Sequence, residues 1–269
     1  MLELPELELY RALLAERCAG LRITAFTIKN KALKHLKSRL QELVDTSIWF
    51  VERRYRLIVF HLDNGKRLTF AFNELGYPYF CAAEEAKGIK GDLVISFGDK
   101  ILYLTGVESE SIGVLSVRQL EEGLKGQALD PLDKRFTLAK WNESLSKKRG
   151  YVKSALTDAK LLPGIGPLYS DEIAFAARIS PNAKVSDLTG EQREALYKAI
   201  GNTIRQSISI GGVKSQRLFP GDELSGGFEE QLQVYEREGE TCRRCGSEIA
   251  RITVAGRKAY CCPQCQTGN

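Results

Sequence analysis

Leu7, Tyr10, Leu14, Cys18 and Leu21 recur at steps of 3, 4, 4 and 3. That spacing lines one face of an α-helix, so the pattern predicts an amphipathic helix over residues 6–21 with its stripe turned to a core. From residue 22 to about 118 the chain is rich in short runs of apolar and β-forming residues. Runs 56–62 and 67–72 flank Asp63-Asn64-Gly65-Lys66. Asn-Gly between two such runs predicts a tight hairpin, because both residues accept positive φ. Runs 92–97 and 101–105 around Gly98-Asp99 predict a second hairpin. Several short strands punctuated by turns predict a sandwich or a barrel. Near residue 120 the period changes, and from about 130 to 210 it is helical. Segments 147–161 and 169–178 lie on either side of Leu162-Pro163-Gly164-Ile165-Gly166-Pro167, which breaks helicity sharply. Leu196, Ala199, Ile200, Ile204 and Ile208 make one more helical stripe. Residues 211–228 are glycine-rich and predict a mobile loop.

Composition narrows the class. The chain has 269 residues, 43% hydrophobic and 27% charged, which is globular and long enough for one large domain or two modest ones. No apolar run reaches about 18 residues, which excludes a membrane-spanning helix. The acidic start lacks the basic-then-apolar pattern of a signal peptide, and the expected compartment is the cytoplasm. The net charge of +5 is mild, but its distribution is uneven. From residue 242 onward, Arg243, Arg244, Arg251, Arg257 and Lys258 face Glu248 alone. A compact basic module at one end suggests contact with a polyanion.

Five of the seven cysteines fall in the last 28 residues. Cys242-x2-Cys245 and Cys262-x2-Cys265, separated by sixteen residues, have the spacing of a tetrahedral Zn²⁺ site. Four protein ligands leave no open position, so the metal is structural. Between the pairs, Ala255-Gly256 predicts a tight hairpin, giving a β-hairpin zinc finger with Arg257 at its turn, within reach of a nucleic-acid backbone. Cys261 is the spare thiol. The Gly164-Ile165-Gly166 turn, flanked by Lys147, Lys148, Arg149 and Lys153, lets backbone amides approach a phosphate at the start of the next helix.

These motifs, in this order, resemble the formamidopyrimidine-DNA glycosylase / endonuclease VIII family along almost the whole chain. Met1-Leu2-Glu3-Leu4-Pro5-Glu6 resembles its opening motif. Residues 153–158, 162–166 and 169–172 resemble its helix–two-turns–helix, and residues 231–239 with the four cysteines resemble its finger. The resemblance implies an α+β, two-lobed protein: an N-terminal β-sandwich with a flanking helix (1–120), a helical helix–two-turns–helix domain (130–228) and a zinc finger (229–269). It further implies a monomer holding damaged double-stranded DNA, with the damaged base flipped out. By resemblance, Glu3 and Glu6 are the catalytic carboxylates, one structural Zn²⁺ sits on Cys242, Cys245, Cys262 and Cys265, and DNA is gripped by Arg56, Lys153, Gly164, Gly166, Tyr169 and Arg257.

The chemistry departs from the family pattern. In the family the amine of an N-terminal proline attacks C1′, but residue 2 here is Leu2. Methionine is generally retained before so large a residue, so the Met1 amine would stand displaced by about 3.5 Å. Arg56 occupies the place of a hairpin lysine and is always protonated. Ala71-Phe72-Asn73 and Glu110-Ser111-Ile112-Gly113 stand where the family has residues that wedge into the DNA stack, and Pro167 replaces an asparagine at the phosphate grip. The sequence therefore points first to a DNA glycosylase that hydrolyses the N-glycosidic bond, with Glu3 activating water and AP lyase activity in doubt. The alternatives are a non-catalytic protein that binds abasic, distorted or structured DNA, and a zinc-ribbon protein-interaction module.

Overall fold

Pro5 opens the first helix, α1 (Leu4–Cys18), where its fixed φ suits the first turn and its missing N–H costs nothing. In the computed structural model, which describes residues 2–267, the predicted stripe of α1 is buried: Leu7, Tyr10, Leu14 and Cys18 all face the core. The strands that follow are β1 (Ala25–Ile28), then, after a short helix α2 (Lys37–Gln41), β2 (Ile48–Arg54), β3 (Leu57–Leu62), β4 (Lys66–Phe70), β5 (Phe72–Ala82), β6 (Leu93–Ser96), β7 (Lys100–Val107) and β8 (Gly113–Ser116). They form two four-stranded antiparallel sheets, ordered β1-β6-β7-β5 and β2-β3-β4-β8. Both predicted hairpins are present, as β3–β4 and β6–β7. Tyr10, Phe72, Phe70 and Phe60 meet edge to face in a continuous chain through this core. Each such ring contributes about 1.5–3 kcal/mol by leaving water. A short helix, α3 (Val117–Gly123), closes this part of the chain behind a Ser116–Gln119 capping box.

The chain divides into two units, Met1–Gly126 with Gly211–Gly226, and Gln127–Ile210 with Gly227–Asn269. The second unit contains α4 (Leu138–Ser146), α5 (Val152–Leu156), α6 (Pro167–Ala176), α7 (Gly190–Ser209) and the hairpin β9 (Ala250–Val254) and β10 (Arg257–Cys261). Leu196, Ala199, Ile200 and Ile204 of the α7 stripe are buried and Ile208 is half-buried. Residues 147–161 are not one helix. Gly150 adopts φ +92, Tyr151 is extended and bridges Lys184, and the helix restarts only at Val152. The glycine's left-handed backbone outweighs the helix-forming residues around it. Ala255 and Gly256 both have positive φ, the two-residue turn that matches strand twist, so the finger hairpin closes as predicted.

The loop predicted to be mobile is instead tied down. Asp222 accepts hydrogen bonds from the amides of Leu218, Leu224 and Ser225 and from the Ser225 hydroxyl. The Leu218 carbonyl in turn accepts the Phe80 amide of β5 at 2.9 Å. Burial opposes the Asp222 charge, but these donors outweigh it and hold the carboxyl below its usual range. Among the described residues no helix is long and apolar enough to cross a membrane.

Candidate functional site

In the first unit the candidate residues gather at the start of α1. Leu2 is 3% exposed and packs in the sandwich core. Glu3 follows at the N-cap, with extended backbone, and its carboxylate does not cap the helix. Glu6, one turn on, is 2% exposed, and its Oε1 accepts the Val213 amide at 3.2 Å. Met1, the candidate displaced amine, lies outside the described residues. Arg56 sits in the β2–β3 turn after Tyr55, whose φ is +58, and its guanidinium donates to Glu108 at 3.0 Å.

The segments expected to carry wedges are largely inward. Ala71, Phe72 and Ile112 are buried, and the Ser111 hydroxyl accepts the Ala71 amide at 2.7 Å, which ties its loop to the β4–β5 junction. Glu110 is exposed. The large apolar side chain that projects from this strand is Leu75, 83% exposed, where β5 departs from its register with β7 between Phe72 and Tyr77. Sequence pattern missed it, because a lone leucine between Glu74 and Gly76 gives no sign that it faces outward.

In the second unit two of the expected DNA contacts are buried. Lys153 is 1% exposed, and its ammonium donates to Asp171 at 2.7 Å and to the Pro167 carbonyl at 2.8 Å. It supports the Gly164–Gly166 turn from inside. Tyr169 is wholly buried, its hydroxyl 2.6 Å from Ser207 Oγ and its ring stacked on Phe228, so it too is a core residue. Gly164 adopts φ +85 and Gly166 is the N-cap of α6. Pro167 at the first helical position removes one amide from this helix start.

Two adjacent carboxylates of α6, matched by the resemblance as part of the helix–two-turns–helix but given no role there, organise the rest. Asp171 is 0% exposed and also accepts the Tyr260 amide of β10 at 3.1 Å. Glu172 accepts the amides of Gln233, Val234 and Tyr235 at 2.9–3.1 Å. Burial raises both carboxyls, Asp171 to about 6 against the pull of Lys153, and Glu172 against three backbone donors. The finger is thus bolted to α6 through buried charges. At its tip, exposed Arg257 donates to Thr157 Oγ1 at 2.6 Å, beside the end of α5.

The four thiols fit one metal ion. Cys242 and Cys265 Sγ are 3.9 Å apart, Cys245 and Cys262 Sγ 3.4 Å, and all four lie within 4.8 Å of one another. Tetrahedral zinc with bonds of about 2.3 Å requires edges of about 3.8 Å. Cys261 stands outside this group. One structural zinc belongs here.

Comparison with known proteins matches three family models in sequence: the formamidopyrimidine-DNA glycosylase N-terminal domain over residues 1–107, the formamidopyrimidine-DNA glycosylase H2TH domain over 127–218, and the zinc finger found in FPG and IleRS over 239–268. The chain belongs to the formamidopyrimidine-DNA glycosylase family. Among its relatives, the formamidopyrimidine-DNA glycosylase of Halalkalibacterium halodurans is 31% identical over 281 residues, covering 99% of this chain and 100% of that one. That of Pelotomaculum thermopropionicum is 29% identical over 276 residues, covering 99% of each. The Lactococcus lactis Fpg, solved in complex with DNA containing an abasic site, superposes with a TM-score of 0.86 at 27% identity, covering 98% of this chain and 99% of that one. The fold, a mixed helix and sheet chain with an N-terminal β-sandwich, a helix–two-turns–helix domain and a zinc finger, is the family's.

Proposed function

We propose that the chain is a DNA N-glycosylase of base-excision repair that binds damaged duplex DNA and hydrolyses the N-glycosidic bond of an extruded, modified base. The observation that carries the mechanism is at the start of α1: the side chain at position 2 is locked in the core, and Glu3 follows it at the helix N-cap. Glu3 then acts as general base. Water's oxygen bonds to C1′, its proton passes to Glu3, and the C1′–N bond breaks with its electron pair leaving on the base. Arg56 presents a guanidinium paired with Glu108, so it supplies charge to a nearby phosphate rather than a nucleophile. We propose that strand cleavage by AP lyase chemistry is absent.

In the second unit the Gly164–Gly166 turn and the amides opening α6 offer a phosphate site, and Arg257 offers a cation at the finger tip. Leu75 is the apolar side chain suited to fill the gap left by an extruded nucleotide. Cys242, Cys245, Cys262 and Cys265 would hold the zinc, which supplies folding energy and no chemistry. We infer a monomer acting on duplex DNA in the cytoplasm of a bacterium, the kind of organism its relatives come from.

A non-catalytic binder of abasic or distorted DNA is the second reading. It is favoured by Glu110, an exposed carboxylate that phosphates would repel where the family has an arginine. The test uses labelled duplexes carrying oxidised pyrimidines, oxidised or ring-opened purines, uracil or an abasic site, each reaction split and half treated with hot alkali. Breaks only after alkali, lost by at least about 100-fold in Glu3→Gln with duplex affinity retained, are expected. Breaks without alkali refute the absence of lyase activity. No breaks in either half, with clear binding, replace the enzyme by the binder.

A further inference from the structure

Segment 211–226 follows α7 in the chain yet folds with the N-terminal unit. Its base is closed: the Gly226 amide donates to the Gly211 carbonyl at 3.0 Å. Gly211, at φ +91, is pressed so close to the Leu224 carbonyl that a Cβ would fall 1.8 Å from its oxygen. The Phe219 ring lies 4.2 Å beneath the Arg17 guanidinium of α1. The crest, Ser215 to Arg217, is exposed.

Glu6 stands against this closed base. Its Oε1 accepts the Val213 amide across 207 residues of sequence, and the same oxygen lies 3.0 Å from where a Cβ on Gly212 would be. A carboxylate this deeply buried is costly unless it is hydrogen-bonded, so the contact is an obligation of the fold. Glu6 is also one helical turn from Glu3, on the same short stretch of α1.

We propose that Glu6 is a positioning residue. Its carboxylate latches the base of the 211–226 loop to the first turn of α1, so that loop seating and the placement of Glu3 move as one unit. The kinetic part of this inference rests on the glycosylase function proposed above; the latch itself does not.

The test on the full chain is limited trypsin digestion, reading cleavage after Lys214 and Arg217, alongside single-turnover base release. Glu6→Ala is expected to speed cleavage at these two sites by about 10- to 100-fold, the value of one charge-assisted hydrogen bond. Glu6→Gln keeps an acceptor oxygen and restores near wild-type protection. Gly212→Ala releases the loop from the opposite side, by crowding Glu6 and Leu9, and leaves the carboxylate in place if Glu6→Ala fails to fold. Base release is expected to slow in Glu6→Ala with duplex affinity unchanged, and to recover in Glu6→Gln. Equal cleavage in wild type, Glu6→Ala and Gly212→Ala overturns the latch. A loosened loop with an unchanged rate of base release overturns the positioning role. A wild-type protein that releases no base refutes the glycosylase, while the protease result still decides the latch.

Discussion

Replacing Lys153 by methionine decides whether this lysine serves the fold or the ligand. Its ammonium and the Asp171 carboxylate are 1% and 0% exposed and 2.7 Å apart. Methionine has nearly the length of lysine, so Lys153→Met removes the charge and leaves little void. It strands the Asp171 carboxylate in the interior with the Tyr260 amide as one remaining donor. Breaking one half of such a pair costs about 3–5 kcal/mol. The second unit has about 130 residues, and at about 2.1 cal/mol/K per residue its unfolding entropy is about 270 cal/mol/K, so its Tm should fall by about 11–18 °C.

The double variant Lys153→Met with Asp171→Asn removes both charges and keeps an oxygen for the Tyr260 amide. It should recover most of the loss, because burying two charges and burying a neutral pair differ far less than burying one charge alone. Calorimetry of the single and double variants reads both effects. A lysine that gripped a phosphate would behave differently: Tm would hold, while affinity for duplex would drop and the slope of log K against log salt would shrink by about 0.9. A loss of less than about 1 kcal/mol in the single variant, or additivity in the double, refutes the buried-pair argument.

Arg257→Ala should leave Tm unchanged, since the side chain is exposed, and should weaken duplex binding with a salt slope smaller by about one, measured by titration at several salt concentrations. Stripping the zinc with a strong chelator, or substituting Cys262→Ala, should unfold the finger and abolish duplex binding, because zinc in such sites contributes about 10–16 kcal/mol of apparent binding energy to folding; circular dichroism and mobility shift check it. Burial lowers His61 below its ordinary value, outweighing the hydrogen bond that its Nε2 makes to the Glu52 carboxylate, and its Nδ1 has no hydrogen-bond partner. The native state therefore favours the neutral ring, the unfolded chain takes up the proton first as pH falls through about 6.5, and stability falls with it. His61→Gln should flatten the loss of stability between pH 7 and pH 5 in denaturant titrations.

What could be seen in the sequence was what is local. The zinc site spans 24 residues and announces itself by spacing. The two hairpins were visible because turn and flanking strands are contiguous. The burial of Lys153 and Tyr169 was not visible, for the opposite reason. Their partners, Asp171 and Ser207, lie 18 and 38 residues away, and a lysine beside other basic residues is indistinguishable from a surface lysine until its partner is known. The 211–226 loop was misjudged because glycines advertise freedom, while the carboxylate of Asp222 that removes it sits unremarked among them.

The same contrast explains where this chain departs from its family. Lys153, Asp171, Glu172 and the amides of residues 233–235 and 260 satisfy one another in the interior. Changing one strands the others, at several kcal/mol each time, so the scaffold of turn and finger resists drift. Position 2 exchanges a reactive proline for a leucine that gains core burial, a change that stability favours even if lyase chemistry is lost. Arg56 meets Glu108 at the half-exposed surface, where either sign of charge is tolerated at about 1 kcal/mol or less. The turn and finger are held by buried charges that the fold cannot release, while positions 2 and 56 belong to no such buried charge pair. A departure of this kind alters the reaction at the sugar before it alters the hold on the duplex, which is why hydrolysis without strand cleavage, rather than loss of DNA binding, is the outcome these substitutions favour.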